Sequence, residues 1–309
     1  MRKIISFILF ALVFSSCEVL EGPYISGSTN PNDTSSTNYV KKVLIEDYTG
    51  HLCSFCPDAA RELDAILNVY PNTIGLAIHA VNNFTRPYVV DSVFNPDEKF
   101  IYDFRTSWGE ELDAEFEIFE NGLPKGMINR IDYNSSGDHR KDFGQWSSIV
   151  ADELEKEVKF GINIEVTQTP LMLSDQFDVV INSEAISSMN GDYKLVVCLT
   201  ENNITNWQKD GTIEDPSYIH KHVLRSFLTP TWGNDLSAEE INSGDGFSNG
   251  YSFIVSDLEN DNINYSTTLP PFTGNAGNWD INNLYVLAYI YDVSNYEILQ
   301  VEEKSLLSK

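Results

Sequence analysis

Two cysteines three positions apart carry the clearest chemical signal of the sequence, in the run Cys53-Ser-Phe-Cys56-Pro57. A short apolar stretch precedes this run, and a helical pattern begins at Pro57. The first turn of a helix offers unpaired N–H groups and the positive end of the helix dipole. A thiol there ionises easily, and the thiolate is its reactive form. Because one helical turn brings Cys56 back beneath Cys53, the spacing predicts a disulfide that can exchange with other thiols.

The elements around the two cysteines follow from the apolar pattern. Residues 43–45 predict a short strand, and the helix from Pro57 has its apolar side chains at helical spacing before Pro71 stops it. Residues 74–81 are apolar on both faces, which is typical of a central strand. We read residues 82–121 as a helical insertion, residues 122–130 as a strand and residues 143–156 as a last helix.

This order of elements resembles that of thioredoxin-like domains. The resemblance implies that Asp47, on the strand before the motif, is the buried acid that handles the proton of the second cysteine, with neighbouring Glu46 as the alternative. It also implies that Pro124 is a cis-proline lying against the cysteine pair. The implied catalytic residues are Cys53, Cys56, Asp47 and Pro124, and the implied substrate-binding residues are Leu123 and Pro124.

The second half of the chain has a different hydrophobic pattern, in which apolar and polar residues alternate with a period of two. Strand-like runs occur at residues 162–166, 177–182, 194–200, 220–227, 251–255, 284–292 and 297–302. Seven short strands without helices predict a sandwich of immunoglobulin-like proportions. The predicted fold is an α/β thioredoxin-like domain over residues 40–158 followed by an all-β immunoglobulin-like sandwich over residues 159–309.

The N-terminus has the features of an export signal. Arg2 and Lys3 precede an apolar stretch at residues 4–14, and the small residues Ser15 and Ser16 come directly before Cys17. Residues 1–16 are therefore predicted to be a lipoprotein signal peptide, with Cys17 acylated, and the alternative is an ordinary leader cleaved at a nearby small residue. Residues 17–39, rich in Gly, Ser, Thr and Asn, predict a flexible tether between membrane and domain.

The chain is strongly acidic, with a formal net charge of −26 that becomes −28 when Arg2 and Lys3 leave with the signal peptide. Such a surface repels phosphate backbones, so nucleic acid is excluded as an expected partner.

Several segments together resemble one family. They are Leu-Ile-Glu-Asp-Tyr-Thr-Gly at 44–50 before the cysteine motif, Gly-Leu-Pro-Lys-Gly-Met-Ile-Asn-Arg at 122–130, His-Lys-His-Val-Leu-Arg at 220–225 and Ala-Tyr-Ile-Tyr-Asp at 288–292 followed by Ile-Leu-Gln at 298–300. The chain is similar to the outer-membrane protein 28 family, lipoproteins of Bacteroidetes with a thioredoxin-like half and a β-rich half. The resemblance implies an outer-membrane lipoprotein.

The expected function is thiol–disulfide exchange with extracytoplasmic proteins, without a cofactor. The alternative is a surface binding or adhesion protein in which the Cys53–Cys56 disulfide is structural and loops at 242–246 and 270–274 make the contacts. A zinc site made by the two cysteines with His51 or His79 is disfavoured, because zinc sites usually need four ligands and no second cysteine pair exists. No metal is expected.

Three further residue types have plain structural interpretations. Cys198, in an apolar run, is predicted to be a buried and inert thiol. His220 and His222 are predicted to lie on one face of a strand in a structural role, and His79 to be a hydrogen-bonded core histidine.

Overall fold

The computed structural model describes residues 39–80, 83–133, 135–169, 175–236 and 240–307. The predicted signal peptide and the lipidation site Cys17 lie outside the described residues, as does all of the predicted tether except Tyr39. The acylation of Cys17 therefore stays a prediction.

The described chain contains four α-helices and thirteen strands. The helices are α1 (Cys56–Val69), α2 (Ser107–Phe116), α3 (Trp146–Leu154) and α4 (Val255–Thr268). The first strands are β1 (Val43–Tyr48), β2 (Thr73–Ile78), β3 (Lys125–Ile128), β4 (Phe160–Gln168), β5 (Gln176–Ala185), β6 (Tyr193–Glu201) and β7 (Ile204–Asp210). The remaining strands are β8 (Ile213–His220), β9 (Val223–Phe227), β10 (Asn234–Asp235), β11 (Gly246–Ile254), β12 (Leu284–Asp292) and β13 (Ile298–Ser305).

A large mixed sheet runs through the structure in the order β13-β12-β6-β9-β2-β1-β3, with β10 paired to β6. Strands β1 and β2 are parallel, whereas β3 is antiparallel to β1. The first half of the chain joins the second where Ala77 of β2 pairs with Val223 of β9. The predicted boundary at 158/159 falls between α3 and β4, and the large sheet contains strands from both sides of it.

Apolar layers lie on both faces of this sheet. Helices α1 and α3 pack on one face of β1 through residues such as Ala59, Leu63 and Trp146. Helix α2 contributes Leu112 and Phe116 to the core on the opposite face. A second sheet, β11-β5-β4, shares a core with β6 and β12. The fold is thus a mixed α/β N-terminal region followed by a β-rich region, as the sequence predicts at that level.

The structure differs from three local predictions. Helix α4 was not foreseen in the second half, because its buried positions, Val255, Asn262 and Ser266, are mostly polar and give little hydrophobic periodicity. Within 82–121 only α2 and the short 3₁₀ turn Phe119–Asn121 are helical among the described residues. The strand predicted at 220–227 is divided, because His222 has a left-handed φ of 56° between β8 and β9.

No helix in the described ranges has both the length and the apolar character required to cross a membrane.

Candidate functional site

A disulfide joins Cys53 to Cys56 at the N-terminus of α1, with the two Cα atoms 5.4 Å apart. Cys56 is the first residue of the helix and Pro57 follows it in the first turn, where its missing N–H costs no hydrogen bond. Gly50, which follows β1, lets the backbone of Phe84 approach closely, because a Cβ atom at Gly50 would lie only 2.6 Å from the Phe84 oxygen. The predicted position of the motif between strand and helix is therefore confirmed.

The β7–β8 hairpin covers the disulfide. The Gln208 side-chain amide donates hydrogen bonds to the backbone oxygens of Gly50, at 3.2 Å, and Cys53, at 3.1 Å. The backbone N–H of Lys209 donates to the oxygen of His51, and that of Gly211 donates to the oxygen of Ser54, each at 2.8 Å.

These four bonds reach the motif from a segment some 155 residues further along the chain. Cys53 is only 2% exposed and Cys56 only 1%. Neither sulfur is open to a protein substrate while the hairpin stays in place.

A cavity of about 50 Å³ lies beneath the hairpin and is lined by Asp47 and Cys56 together with residues of α1 and β8. This volume is enough for a few water molecules. Asp47 is buried, and its Oδ1 atom has no hydrogen-bond partner among the described residues. Burial raises the pKa of the Asp47 carboxyl to about 7, because removal from water penalises the charged form.

The sequence left Asp47 and Glu46 as alternatives for the buried acid beside the cysteine pair, and the structure shows different surroundings for the two carboxyls. Glu46 is also fully buried, but Arg130 donates hydrogen bonds to both of its carboxylate oxygens, at 2.6 and 2.8 Å. Arg130 also donates to the hydroxyl oxygen of Tyr289. Glu46 is thus held in an ion pair, and Asp47 is the acid that shares a cavity with Cys56.

The peptide bond between Leu123 and Pro124 is cis. Pro124 directly precedes β3, whose first residue, Lys125, pairs with Tyr48 at the end of β1. Pro124 therefore lies at the end of the sheet where β1 finishes, and the cysteine motif follows this same end of β1. On β3 itself, Gly126 exchanges two backbone hydrogen bonds with Lys141.

Three histidines line the same cavity as Cys56: His79, His220 and His222. His79 stacks on Phe104 with ring centroids 4.7 Å apart, and the ring of His220 lies 6.2 Å from that of His79. His79 is buried as expected, but the predicted hydrogen bond is wrong, because neither ring nitrogen has a partner in the described structure. Burial lowers the pKa of His220 to about 3 and that of His222 to about 4, so both rings are neutral at pH 7.

The structure also shows the surroundings of Cys198 and of His51, which was considered as a zinc ligand. Cys198 is fully buried, and burial raises its pKa, so it is an inert core thiol as predicted. His51 contacts the backbone oxygen of Arg86 at 3.4 Å. Within the described residues no group of three or more His, Cys, Asp or Glu side chains is arranged to hold a metal ion.

Sequence reasoning did not foresee the hairpin or the role of Gln208. A signal was present, because the two turn residues, Gly211 and Thr212, form a Gly-X pair of the kind that closes tight hairpins. The contact of that hairpin with Cys53 has no local sequence signature, since it joins distant parts of the chain.

Fold and site together define a class: a mixed α/β protein with a β-rich second half and a covered Cys-x-x-Cys disulfide at a helix N-terminus. The family described as outer membrane protein Omp28 matches residues 111–308, and the chain belongs to this family. The predicted family is thereby confirmed, and so is the predicted location at the outer membrane. The matched region includes Pro124 and the hairpin but not the cysteine motif.

Two solved structures from Porphyromonas gingivalis are similar to this chain. HBP35 is 16% identical with a TM-score of 0.59, and the match covers 87% of this chain and 76% of HBP35. A domain of the outer membrane lipoprotein Omp28 is 17% identical with a TM-score of 0.29, over 48% of this chain and 88% of that one. The likeness to HBP35 shows a shared fold. No curated protein matches the chain.

Proposed function

We propose that this outer-membrane protein carries out thiol–disulfide exchange through Cys53 and Cys56. The observation that carries the proposal is Asp47, a buried carboxyl without a described partner on Oδ1, in the cavity that Cys56 also lines. An unpartnered buried carboxyl costs free energy, and a purely structural disulfide gains nothing from it. Perturbed carboxyls beside a potential nucleophile are typical of functional sites.

The proposal extends to the finer fold. Parallel strands β1 and β2 flank α1 in sequence, and β3 runs antiparallel to β1 directly after a cis-proline. This arrangement supports a thioredoxin-like first half. The β11-β5-β4 sheet packed against β6 and β12 supports a sandwich in the second half, although α4 departs from an all-β immunoglobulin-like pattern.

The exchange moves two electrons and two protons. A substrate thiolate attacks Sγ of Cys53, the Cys53–Cys56 bond breaks, and Cys56 leaves as a thiolate that takes a proton from Asp47. A second substrate thiolate then attacks the substrate sulfur of the mixed disulfide and displaces Cys53 as a thiolate, so that the substrate leaves as a disulfide. The two protons that the substrate thiols released to water balance the protons taken up by the Cys53 thiolate and by the ionised Asp47, and the motif is left as a dithiol. The reverse sequence reduces a substrate disulfide, with Cys56 displacing the substrate and Asp47 accepting its proton. A pKa of about 7 suits Asp47 to both directions at neutral pH.

The covering hairpin sets a condition on this chemistry. A protein substrate reaches the sulfurs only after the bonds from Gln208, Lys209 and Gly211 have opened. The Leu123–Pro124 segment lies at the same end of the strands as the cysteine motif. It is the proposed place for an extended substrate segment. We also propose that lipid on Cys17 holds the protein at the membrane.

The burial of both sulfurs favours a second candidate, a surface binding protein with a structural disulfide. In that case Cys53 and Cys56 stay oxidised through the life of the protein, and the loops at 242–246 and 270–274 make the contacts with a partner.

Trapping of mixed disulfides separates the two candidates. We expect Cys56→Ser, produced in its native cell envelope, to accumulate higher-mass adducts that reductant removes. Adding Gln208→Ala should increase the yield by opening the hairpin. The double variant Cys53→Ser/Cys56→Ser, at the same abundance, should give none. If Cys56→Ser with Gln208→Ala yields no more adduct than this control, the disulfide is structural.

A further inference from the structure

One surface loop of the described structure is unusually apolar. The loop of residues 88–99 begins where the backbone N–H of Tyr88 donates to the oxygen of Phe100, at 2.8 Å. At its tip, Val93 is 76% exposed and Phe94 is 89% exposed, and Val89 and Val90 are exposed beside them. Large apolar side chains grouped in this way on a surface mark an interaction site.

Polar side chains within the 88–99 loop hold the tip in a defined shape. The Asp91 carboxylate accepts hydrogen bonds from the backbone N–H groups of Val93, at 2.7 Å, and Phe94, at 3.0 Å. The Asn95 side chain donates to the oxygens of Val89 and Lys99 and accepts from the N–H of Lys99. The loop therefore presents its apolar side chains outward from a hydrogen-bonded base.

A second loop adds to the same surface. Pro271 lines a groove together with Val89 and Phe94, and the next residue, Phe272, is 61% exposed. The apolar tip is thus part of a patch made by two segments that are far apart in sequence.

We propose that the 88–99 loop inserts its tip into the boundary between headgroups and acyl chains of an uncharged lipid bilayer. The protein belongs to the outer membrane, so such a surface is always near. The residues from Cys17 to Asn38 reach at most about 75 Å when fully extended, which is ample for any face of a domain this size to meet the bilayer. The mature net charge of −28 disfavours anionic lipid.

The size of the patch favours a bilayer over a second protein chain. A stable protein–protein interface buries about 800 Å² on each partner, around a packed core with a polar rim. The exposed apolar side chains of the whole patch are those of Val89, Val90, Val93 and Phe94 in the loop and Phe272 in the second segment, far fewer than the roughly 20 to 30 residues that each partner contributes to such an interface. Shallow insertion of one or two large side chains, in contrast, is sufficient for a membrane contact that supplements a lipid anchor.

The test uses the chain from residue 17 with Cys17→Ser, so that no acyl chain contributes. We expect it to float with vesicles of phosphatidylethanolamine and phosphatidylcholine, and Val93→Ser/Phe94→Ser to lower its partition about 100-fold, because both side chains lose apolar burial. Ile213→Ser, at another exposed apolar residue, is the matched control and should leave partition unchanged. Added phosphatidylglycerol should weaken binding.

Equal flotation of the double variant and the parent, or no flotation of the parent, overturns the proposal. A parent that dimerises without vesicles and loses this property in the double variant overturns it in favour of a second copy as the occupant. All of these results are independent of the exchange chemistry, since neither cysteine of the motif is changed.

Discussion

Asp47 lines the same cavity as Cys56, and its charge state changes near neutral pH. Its carboxyl has an ordinary pKa of 3.8 when the chain is unfolded and about 7 when it is folded. Between these values the unfolded chain is ionised while the folded protein keeps the proton. The folded state therefore loses stability as the pH rises through this window, by on the order of 4 kcal/mol in total.

We expect Asp47→Asn to remove this loss, because the amide keeps the shape of the carboxyl without its ionisation. Chemical unfolding of the oxidised protein at pH 4, 6 and 8 measures the effect as the free-energy difference between the two proteins. That difference should shift in favour of the variant as the pH rises. Burial also raises the pKa of Glu303 to about 7. Because Glu303 is present in both proteins, its pH-dependent contribution cancels in the free-energy difference. A difference that does not change with pH contradicts the account.

Burial of His79 makes the stability of the folded state depend on pH in the opposite direction. Burial and the neighbouring His220 lower its pKa well below 6.5, so that the unfolded chain takes up a proton below pH 6.5 while the folded protein does not. The folded state accordingly loses stability as the pH falls. At pH 5 one such histidine costs about 2 kcal/mol.

His79→Phe should be nearly neutral at pH 7.5, because the ring nitrogens have no partner among the described residues to lose. At pH 5 the variant should be the more stable protein by about 2 kcal/mol. Urea unfolding at the two pH values measures this change. The same stability difference at both would show that His79 is not held neutral by burial.

At the scale of single residues, the sequence predicted the position of the cysteine pair at a helix start well and its surroundings only in part. Cys53 and Cys56 carry a local signal, since their spacing and the following Pro57 mark a helix start. The choice between Glu46 and Asp47 depended on the partner Arg130, which lies 84 residues from Glu46. No local pattern contains that information.

Among the elements, the β7–β8 hairpin has the greatest effect on the site. Its hydrogen bonds reach the residues around the two cysteines, whose sulfurs are buried. Under the proposed function, these bonds must open before the sulfurs meet a protein substrate. The ion pairs that Asp210 makes with Arg61 and that Asp64 makes with Lys221 are at least one-third exposed and add little to its stability. The bonds of Gln208 are buried and contribute more.

Gln208→Ala should therefore speed reduction of the Cys53–Cys56 disulfide by dithiothreitol. Loss of two buried hydrogen bonds is worth about 2 kcal/mol, or about 30-fold in hairpin opening. Gln300→Ala is the matched control, since this buried glutamine bonds to the backbone of Val40 and Lys42 away from the hairpin. Equal reduction rates in both variants would show that the hairpin does not limit access.

Elements with regular patterns were predictable, and those with irregular ones were not. The strand predicted at 284–292 matches β12 at both ends, because it is a continuous apolar run whose side chains enter a core on each face of the sheet. Helix α4 was missed because its inner face binds through polar groups, such as the Ser266 hydroxyl that donates to Asp103. The hairpin was missed because its outer face is exposed and its function comes from a distant contact.

At the scale of the whole molecule, the two halves of the chain share one sheet. Strands β6, β9, β12 and β13 continue the sheet begun by β1, β2 and β3. The cysteine motif comes from the first half and its cover from the second. Assembly of the site therefore requires that both halves be folded.

This arrangement predicts one cooperative unfolding transition for the described region. Calorimetry should give equal calorimetric and van't Hoff enthalpies, because opening the sheet between β2 and β9 exposes apolar cores of both halves. Two resolved transitions would show that the halves fold independently, as the sequence alone suggested.

The reduction potential of the Cys53–Cys56 pair tests the central claim most directly. A helix N-terminus that stabilises thiolate, with Asp47 as a proton donor, favours the reduced form and raises the potential. We predict a potential less negative than about −300 mV in equilibrium with glutathione or dithiothreitol. A potential below about −300 mV would mark a permanent structural disulfide and contradict the proposed exchange.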